Sequence, residues 1–333
     1  MTIFIPTIED VRKAEPVIRQ YLSPAPLIRS WPLEQLLGLK NDRRVWLKDY
    51  GWTPVGSFKL MGALNWVANN LQTIGDQRIA AHSSGNFASG IAFAGHTFDK
   101  SVVVVMPDNA PKVKIERTRS FGAEIRTFEH AQDHITGDRI RMAREISENE
   151  GAIAASPYDD PYVIAGSGVG GLEIVEELRA QGRNVTRFVC AVSGGGLMAG
   201  HALAIADGFP NARIIGVEPA GAADFQQSLE QGRRVRIDQP SSICDGLLSY
   251  DVGEHNWPIL QKHVSDAMTV TDSQICQAMK WLYDNHGLRA EPSGATTLTA
   301  LLEGKVDVAA EGDIVLVISG RNVDDDGFRE WIA

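Results

Sequence analysis

Short runs with strand-like composition alternate along the chain with longer segments in which apolar residues recur at helical spacing. These runs lie at 101–107, 123–128, 186–192, 212–219 and 313–320, and most are rich in β-branched residues. Continuous apolar strands separated by helices are typical of a parallel sheet that helices cover on both faces. The pattern therefore predicts an α/β protein, in which ligands bind at the carboxyl ends of the strands.

Composition and charge narrow the classes of function. The 333 residues suffice for one large domain or two modest ones, and the net charge of −10 argues against a nucleic-acid-binding surface. The three cysteines lie far apart without paired spacing, which argues against a disulfide scaffold or a Cys-rich zinc site. No signal peptide is indicated, and no apolar run approaches the ~18 residues of a membrane span. We therefore expect a soluble, cytoplasmic protein without membrane or nucleic-acid partners.

Loops rich in glycine or serine follow three strand-like segments. In 192–200 (VSGGGLMAG) consecutive glycines precede a helix, so backbone N–H groups converge as a phosphate site requires, although a tight turn without a ligand is the alternative. The loop in 81–90 (AHSSGNFASG) offers two hydroxyls and an amide as a carboxylate cradle, but Ser and Asn are also common helix caps. In 318–322 (ISGRN), Ser319 could hydrogen-bond a ring nitrogen, or could simply form a turn.

Lys59 lies in 53–66 (TPVGSFKLMGALNW), where small and apolar residues follow it at helical spacing. Most single lysines are solvated surface charges, but an apolar, partly buried site lowers the pKa of an amine and makes it a nucleophile. The three loops decide between these interpretations. A phosphate-type loop, a carboxylate-type loop, a Ser-Gly turn and a lysine are together what a phosphate-bearing aldehyde cofactor, pyridoxal phosphate, requires.

The motifs GSFKLMGA, SSGNFASG, SGGGL, EPSGA and ISGRN occur in the order found in fold-type II pyridoxal-phosphate enzymes. Over essentially the whole chain, the sequence most resembles the threonine/serine dehydratase and serine racemase group. The resemblance implies the tryptophan synthase β-like fold, with two open α/β domains and mostly parallel sheets. It also implies a large cofactor-binding domain at 1–77 and 160–333, a small mobile domain at 78–159 that closes over the substrate, and a homodimer.

The same resemblance assigns roles to individual residues. Lys59 would hold the cofactor aldehyde and then act as the base at the substrate Cα, and Ser84 would be a proton donor on the opposite face. The expected cofactor-binding residues are Phe58, Lys59, Asn86, Ser193, Gly194, Gly195, Gly196, Leu197, Glu291 and Ser319. Those expected at the substrate are Ser83, Ser84, Gly85 and Phe87.

Within the cofactor set, the resemblance is specific about contacts. Asn86 would meet the phenolic oxygen of the cofactor, residues 193–197 would donate backbone N–H groups to its phosphate, and Ser319 would face its pyridine nitrogen. Glu291 would either approach the ring or be a helix-start carboxylate that the helix dipole favours.

A separate group of oxygen ligands follows another predicted strand. Glu218, Ala222 and Asp224 in 216–225 supply two carboxylates and a backbone carbonyl, a set that suits a hard cation. Their spacing is similar to the divalent-cation site of serine racemase and implies a structural or activating Mg²⁺, with Ca²⁺ or Mn²⁺ as alternatives. The other interpretation is a solvated acidic loop.

The resemblance implies a dehydratase (ammonia-lyase) that eliminates water from a β-hydroxy amino acid to give a 2-oxo acid and ammonia. A serine at the ring nitrogen, which does not enforce a protonated pyridinium, favours such loss of a β-leaving group. A racemase of the serine racemase type is the nearest alternative. A β-replacement synthase and an inactive ligand-binding protein are less favoured.

Some positions depart from the family pattern. Met61 stands where arginine is usual, Phe87 and Ser156 where histidine is frequent, and Ser167 and Val169 where glutamine and threonine are common. We expect these departures to lie largely around the substrate loops. The apolar Phe87 predicts a substrate with a bulkier or more apolar β-substituent than that of serine, such as phenylserine.

Overall fold

The computed structural model describes residues 3–309 and 311–333, which form two β-sheets and the helices that cover them. The strands are β1 (Leu27–Arg29), β2 (Val45–Asp49), β3 (Ile79–His82), β4 (Val102–Pro107), β5 (Glu124–Phe128), β6 (Ile153–Ala155), β7 (Val185–Ala191), β8 (Arg213–Pro219), β9 (Asp266–Val270) and β10 (Asp313–Ile318).

The helices divide into those of the first and second halves of the chain. The first half contains α1 (Ile8–Arg19), α2 (Trp31–Leu36), α3 (Lys59–Ile74), α4 (Asn86–Thr97), α5 (Lys112–Ser120), α6 (Asp133–Thr136) and α7 (Asp138–Glu150). The second half contains α8 (Pro161–Ala180), α9 (Gly196–Gly208), α10 (Asp224–Gln231), α11 (Asn256–His263), α12 (Asp272–His286), α13 (Pro292–Leu302) and α14 (Asp325–Trp331).

The larger sheet has six strands in the order β1–β2–β10–β7–β8–β9. Strand β1 pairs antiparallel with β2, whereas the other neighbours pair parallel. In β10, Val315 and Val317 belong to one hydrophobic core, while alternate residues such as Leu316 belong to the core on the opposite face. Burial of both faces explains why this strand is an unbroken apolar run instead of an alternating one.

The smaller sheet has four parallel strands in the order β5–β4–β3–β6, all between residues 79 and 155. One face, which includes Val104 and Met106, packs into the same core as helices α3, α4 and α8. The other face, which includes Val103 and Val105, packs on α7 through Ile146. The strands lie within the predicted small domain at 78–159, and movement of that segment as a unit stays a prediction.

The sequence predicted β4, β5, β7, β8 and β10 to within a few residues, and the predicted class of α/β protein with mostly parallel sheets is confirmed. It did not predict β2, in which Lys48 interrupts an apolar run. Lys48 is nevertheless fully buried, because its ammonium pairs with Glu173 at 2.6 Å and donates to the carbonyl oxygen of Ala25 at 2.6 Å. Within the described ranges, no helix combines the length and apolarity needed to cross a bilayer.

Candidate active site

A cavity of about 1440 Å³ lies beside the carboxyl ends of β3, β7 and β10. The predicted residues that line it are Phe58, Lys59, Ser83, Ser84, Asn86, Phe87, Ser193, Gly194, Gly195, Gly196, Leu197 and Ser319. Segments far apart in the sequence therefore meet at one place, as the position of ligand sites in parallel sheets leads one to expect. Gly85 stands in the chain between the lining residues Ser84 and Asn86, and Glu291 is hydrogen-bonded to Asn86.

Lys59 is the first residue of α3, and its ammonium donates a hydrogen bond to the carbonyl oxygen of Pro157 at 2.6 Å. The nitrogen lies 5.2 Å from the ring centroid of Phe58 and 5.8 Å from that of Phe87. Burial among these groups lowers the pKa of the Lys59 ammonium to about 8, because desolvation disfavours the charged form. Near neutral pH the Lys59 amine is therefore mostly protonated, with an appreciable neutral fraction, and the residue lines the cavity.

Ser319 ties the turn before Lys59 to the end of β10. Its carbonyl oxygen accepts a hydrogen bond from the Phe58 backbone at 3.1 Å, and Ser57 forms an isolated β-bridge with Gly320. The Ser319 side chain lines the same cavity as the Lys59 amine. The end of the central strand therefore fixes both groups relative to each other.

The loop from Ser83 to Gly85 joins β3 to α4. Gly85 has φ of +151°, and a Cβ at this position would overlap the side chain of Lys114, so glycine is required on both grounds. The Ser83 hydroxyl accepts a hydrogen bond from the Gly85 backbone at 3.0 Å, and the Ser84 hydroxyl donates to the Asp245 carbonyl at 3.1 Å. The two hydroxyls and the N-terminus of α4 form a site suited to a carboxylate.

Asn86 is held on both sides of its amide. Its nitrogen donates to Glu291 Oε1 at 2.7 Å, and its oxygen accepts from the Asn322 side chain at 2.8 Å. One N–H of the Asn86 amide remains for a ligand in the cavity. Glu291, expected at the cofactor ring or at the start of a helix, occupies the N-cap position of α13 and accepts a hydrogen bond from Asn86.

Glu291 belongs to an ion cluster that the sequence did not reveal and that reaches the cavity at Asp245, whose side chain is 29% exposed. The Lys114 ammonium pairs with Asp245 at 2.6 Å and with Glu291 at 2.9 Å, and the Lys114 and Glu291 side chains are each 1% exposed. Burial alone would lower the pKa of Lys114, but the two carboxylates raise it above its ordinary value. In the sequence, Lys114 belongs to a basic segment that looks like a solvated helix face, and Asp245 had no assigned role.

The glycine loop joins β7 to α9. Ser193 has φ of +70° and Gly195 φ of +99°, a local backbone that turns successive N–H groups in one direction. The first amides of α9 have no intrahelical acceptor and carry the positive end of the helix dipole. Tyr158, which the sequence did not single out, packs against Gly194 so closely that a side chain there would clash with its ring. These features suit a phosphate group.

The proposed metal ligands lie at the end of β8, outside the described lining of the cavity. Glu218 and Asp224 are both 0% exposed. Glu218 accepts hydrogen bonds from the backbone of Phe225 at 3.2 Å and of Gln226 at 2.9 Å. Both carboxylate oxygens of Asp224 are buried without a hydrogen-bond partner among the residues that the structure describes.

The energetics of this pair indicate a missing positive charge. Burial raises the pKa of Glu218, and burial together with the charge of Glu218 raises the pKa of Asp224. No group of three or more His, Cys, Asp or Glu side chains that could hold a metal occurs in the described ranges. The arrangement, with unpartnered carboxylate oxygens and the Ala222 carbonyl group in the intervening loop, fits a hard cation.

The departures from the family pattern do not all lie where the sequence led us to expect. Phe87 lines the cavity, but Met61, Ser156, Ser167 and Val169 are not among its described lining residues. Met61, Ser167 and Val169 are buried in the packing of α3 and α8. The expectation that these changes surround the substrate is therefore wrong for most of them, since residue spacing does not show which face of a helix borders the cavity.

Comparison with known proteins shows which family the chain is similar to. The family model described as "Pyridoxal-phosphate dependent enzyme" matches residues 18–320. The chain is 31% identical to the serine racemase of Schizosaccharomyces pombe, over 99% of this chain and 98% of that protein. It is 32% identical to the L-threo-3-hydroxyaspartate ammonia-lyase of Saccharomyces cerevisiae, over 97% and 95%.

A solved structure gives the same result. Threonine deaminase isoform 2 from Solanum lycopersicum, in its processed form, superposes with a TM-score of 0.85 at 29% identity, over 99% of this chain and 96% of that chain. The chain therefore belongs to the pyridoxal-phosphate-dependent enzyme family. The predicted membership of fold type II, near the threonine/serine dehydratases and serine racemases, is confirmed.

Proposed function

We propose that the protein is a pyridoxal-phosphate-dependent ammonia-lyase that eliminates water from a β-hydroxy amino acid, giving a 2-oxo acid and ammonia. The observation that carries the proposal is the convergence of the Lys59 amine, the Ser83–Ser84 hydroxyls and the glycine loop on one cavity. The donor set fits the cofactor, because an amine, a phosphate-type loop and a hydroxyl from Ser319 are all present. Relatives named as ammonia-lyases support the reaction class.

The family resemblance, together with the position of these residues at one cavity, supports the following contacts with the cofactor. Lys59 would bind it covalently, the amides of residues 193–197 would hold its phosphate, and the fixed amide of Asn86 would meet its phenolic oxygen. Ser319 would accept or donate one hydrogen bond at the ring nitrogen without placing a negative charge there. When bound, the cofactor supplies an electron sink for bonds at the substrate Cα.

The protein's own groups would then bind the substrate and move its protons. The Ser83 and Ser84 hydroxyls and the amides at the start of α4 would hold the substrate carboxylate. Because the pKa of Lys59 is about 8, its amine is neutral in an appreciable fraction of molecules near neutral pH and can take the Cα proton. The leaving hydroxyl then needs a proton from a group that lines the same cavity.

The substrate we propose carries a β-substituent bulkier or more apolar than that of serine, as in threonine or phenylserine. Phe87 supports this choice, since it lines the cavity, is 1% exposed and lies close to the Lys59 amine. The named relatives do not decide between substrates, because they include enzymes named for serine, threonine and 3-hydroxyaspartate.

A substrate screen tests both the reaction and the substrate class. Serine, threonine, phenylserine and 3-hydroxyaspartate, in both β-configurations, are incubated with the holoenzyme, and release of ammonia and 2-oxo acid is measured. We expect the highest kcat/KM for threonine or phenylserine. A preference for serine or 3-hydroxyaspartate would contradict the proposed substrate, and absence of ammonia release from the whole set would contradict the reaction.

A racemase of the serine racemase type is the second candidate. The Ser84 hydroxyl and the Lys59 amine line the same cavity and could serve as paired acid and base at Cα without loss of a group. Chiral analysis of the residual substrate in the same screen distinguishes the two, since a racemase produces the opposite enantiomer without ammonia. In a Ser84→Ala variant, racemisation should be lost, while elimination should depend on Ser84 less.

We further propose that Glu218, Asp224 and the Ala222 carbonyl bind Mg²⁺, with Ca²⁺ and Mn²⁺ as alternatives, in a structural or activating role.

We also propose that the enzyme is a cytoplasmic homodimer and that segment 78–159 closes over the substrate. Sedimentation velocity of the holoenzyme tests the dimer, for which a single monomeric species would be the contrary result. Domain closure predicts smaller scattering dimensions when a substrate analogue is added.

A further inference from the structure

The wall of the cavity next to the serine loop carries an ion pair that neither the sequence nor the proposed reaction explains. His82, at the end of β3, directly precedes Ser83 and lines the cavity together with Arg139 of α7. Tyr250, from the loop between α10 and α11, completes this wall. We refer to His82, Arg139 and Tyr250 as the distal wall.

The charge of Arg139 is already matched by Asp133, the first residue of α6. The Arg139 guanidinium forms a salt bridge with the Asp133 carboxylate through Nε, and Asp133 Oδ1 accepts a hydrogen bond from the Arg139 backbone at 2.8 Å. The Asp133 side chain is 1% exposed, whereas that of Arg139 is 22% exposed. The carboxylate is therefore a built-in partner of the guanidinium and not a solvated surface charge.

Tyr250, in the loop between α10 and α11, contacts both members of this ion pair. Its hydroxyl donates to Asp133 Oδ2 at 3.2 Å and accepts from Arg139 Nη2 at 3.2 Å, and its ring centroid lies 4.6 Å from the guanidinium carbon of Arg139. The guanidinium of Arg236 also packs on this ring at 4.6 Å, and it lies 3.5 Å from Asp251 with its side chain 57% exposed. Two elements thus fix the position of Arg139 at the cavity.

The remaining titratable member of the distal wall carries no charge near neutral pH. Burial, followed by the nearby cation of Arg139, lowers the pKa of His82 to about 4, and Asp133 and Lys59 act on it more weakly. The net charge of Arg139, Asp133, His82 and Tyr250 near neutral pH is therefore zero. A guanidinium without its own carboxylate would be a strong binding group for an anionic ligand, since such pairs form charge-assisted hydrogen bonds.

We propose that Asp133 determines substrate specificity by neutralising Arg139 and so excluding substrates whose β-substituent carries a carboxylate. An acidic substituent at the distal wall would find the guanidinium already paired and a second carboxylate beside it, which is a repulsive element against that class of substrate. This inference rests on the proposed function in one respect, namely that the substrate carboxylate occupies the Ser83–Ser84 loop and its side chain faces the adjoining wall.

The test compares L-aspartate with L-asparagine, which have nearly the same shape and differ in the charge of the side chain. Their dissociation constants for the holoenzyme are measured by titration calorimetry, and neither ligand has a β-hydroxyl group that elimination could remove. The parent should bind L-asparagine more tightly. In Asp133→Asn, the affinity for L-aspartate relative to L-asparagine should rise by about tenfold, because the guanidinium gains a free charge.

Two further variants make the result specific. Asp138→Asn removes a negative charge one residue from Arg139, but Asp138 pairs with Arg141 at 2.6 Å, so the affinity ratio should stay as in the parent. Arg139→Gln should shift the ratio in the opposite direction, because Asp133 is then unpaired. In the double variant Asp133→Asn/Arg139→Gln, the gain for L-aspartate should disappear.

An unchanged ratio in Asp133→Asn, or an equal gain in Asp138→Asn, would overturn the proposal. If Asp133→Asn does not fold, an unchanged ratio in Arg139→Gln overturns it equally well. The outcome is separable from that of the proposed reaction. A shifted ratio without ammonia release from any β-hydroxy amino acid would contradict the lyase activity alone, and ammonia release with an unshifted ratio would contradict this inference alone.

Discussion

Two groups of carboxylates, one that reaches the cavity and one outside its described lining, differ in how their charge is compensated. In the Lys114 cluster (Lys114, Asp245 and Glu291), one ammonium lies between two carboxylates. In the Glu218 pair (Glu218 and Asp224), two carboxylates share a buried site, and the described residues give Asp224 no partner. The free energy of burying a charge is strongly unfavourable unless the charge is paired.

The two groups therefore differ in whether the described residues alone stabilise them. The Lys114 cluster is complete within the chain, and it holds Asn86 and the Ser83–Gly85 loop in place before any ligand arrives. The described residues give the Glu218 pair no cation, and burial raises the pKa of both carboxyl groups, so protons or a cation would compensate the pair. The Lys114 cluster therefore stabilises the site without a ligand, whereas the stability of the Glu218 pair depends on pH and on dissolved cations.

The largest effect should follow from removing the cation of the Lys114 cluster. Lys114→Met leaves Asp245 and Glu291 without their ammonium, and breaking a buried ion pair in this way costs about 3–5 kcal/mol in the free energy of unfolding. Denaturant titration measures this loss. Lys112→Met, which removes an exposed lysine from the same helix, is the matched control and should change stability by less than about 0.5 kcal/mol. Equal effects of the two variants would contradict the structural role of the cluster.

Supplying a cation to the Glu218 pair should have the next largest effect. At a Mg²⁺ concentration 100 times the dissociation constant, binding to the folded state stabilises it by about 2.7 kcal/mol. Thermal unfolding in EDTA and in Mg²⁺, with Ca²⁺ and Mn²⁺ for comparison, measures the gain. In Asp224→Asn the ion dependence should disappear, whereas in Lys114→Met it should persist. No response of the parent to any divalent cation would count against the metal site.

The pH dependence in EDTA should also separate the two clusters. Because burial raises the folded pKa values of Glu218 and Asp224, the folded state holds protons that the unfolded state releases above about pH 4.5. Stability should therefore fall as pH rises through the range in which only the folded state keeps these protons. Unfolding at pH 6 and pH 7 tests this fall, which saturating Mg²⁺ and Asp224→Asn should both reduce. An equal slope in Asp224→Asn would contradict it.

The smallest effect should come from trimming the Lys114 cluster without removing its cation. In Glu291→Gln, Lys114 keeps its ion pair with Asp245, and the glutamine oxygen can still accept from Asn86. We expect a loss of about 1 kcal/mol in stability, the net value of a typical hydrogen bond, as measured by denaturant titration. A loss as large as that of Lys114→Met would show that Glu291, and not the cation, provides most of the stabilisation by the cluster.

The sequence predicted the parts of the fold that local pattern determines. Strands such as β4 and β10 are buried on both faces, so their apolar runs are visible without knowledge of the neighbours. The loops around Ser84, Gly195 and Ser319 follow strands directly, and the structure brings them together at one cavity. Their catalytic and binding roles stay predictions.

The remainder depends on contacts between residues far apart in the chain. Lys114 and Asp133 look like solvated charges in the sequence. The structure shows that both side chains are buried, in ion pairs with Glu291 and Arg139 respectively. The expectation that Met61 and Val169 lie near the substrate was wrong for the same reason. Helical spacing predicts which residues share a face, but not what that face contacts. Glu291 was found through its motif, although the structure shows it behind Asn86.

The most direct test of the account is to find which lysine carries the cofactor. The holoenzyme is reduced with borohydride and digested, and the peptide that bears the pyridoxyl group is identified by mass spectrometry. The chain offers internal controls, because Lys48 and Lys114 are also buried but are engaged in ion pairs. The account predicts the label on Lys59, and its loss in Lys59→Ala. A label on Lys48, Lys114 or another lysine, or no label at all, would contradict the account.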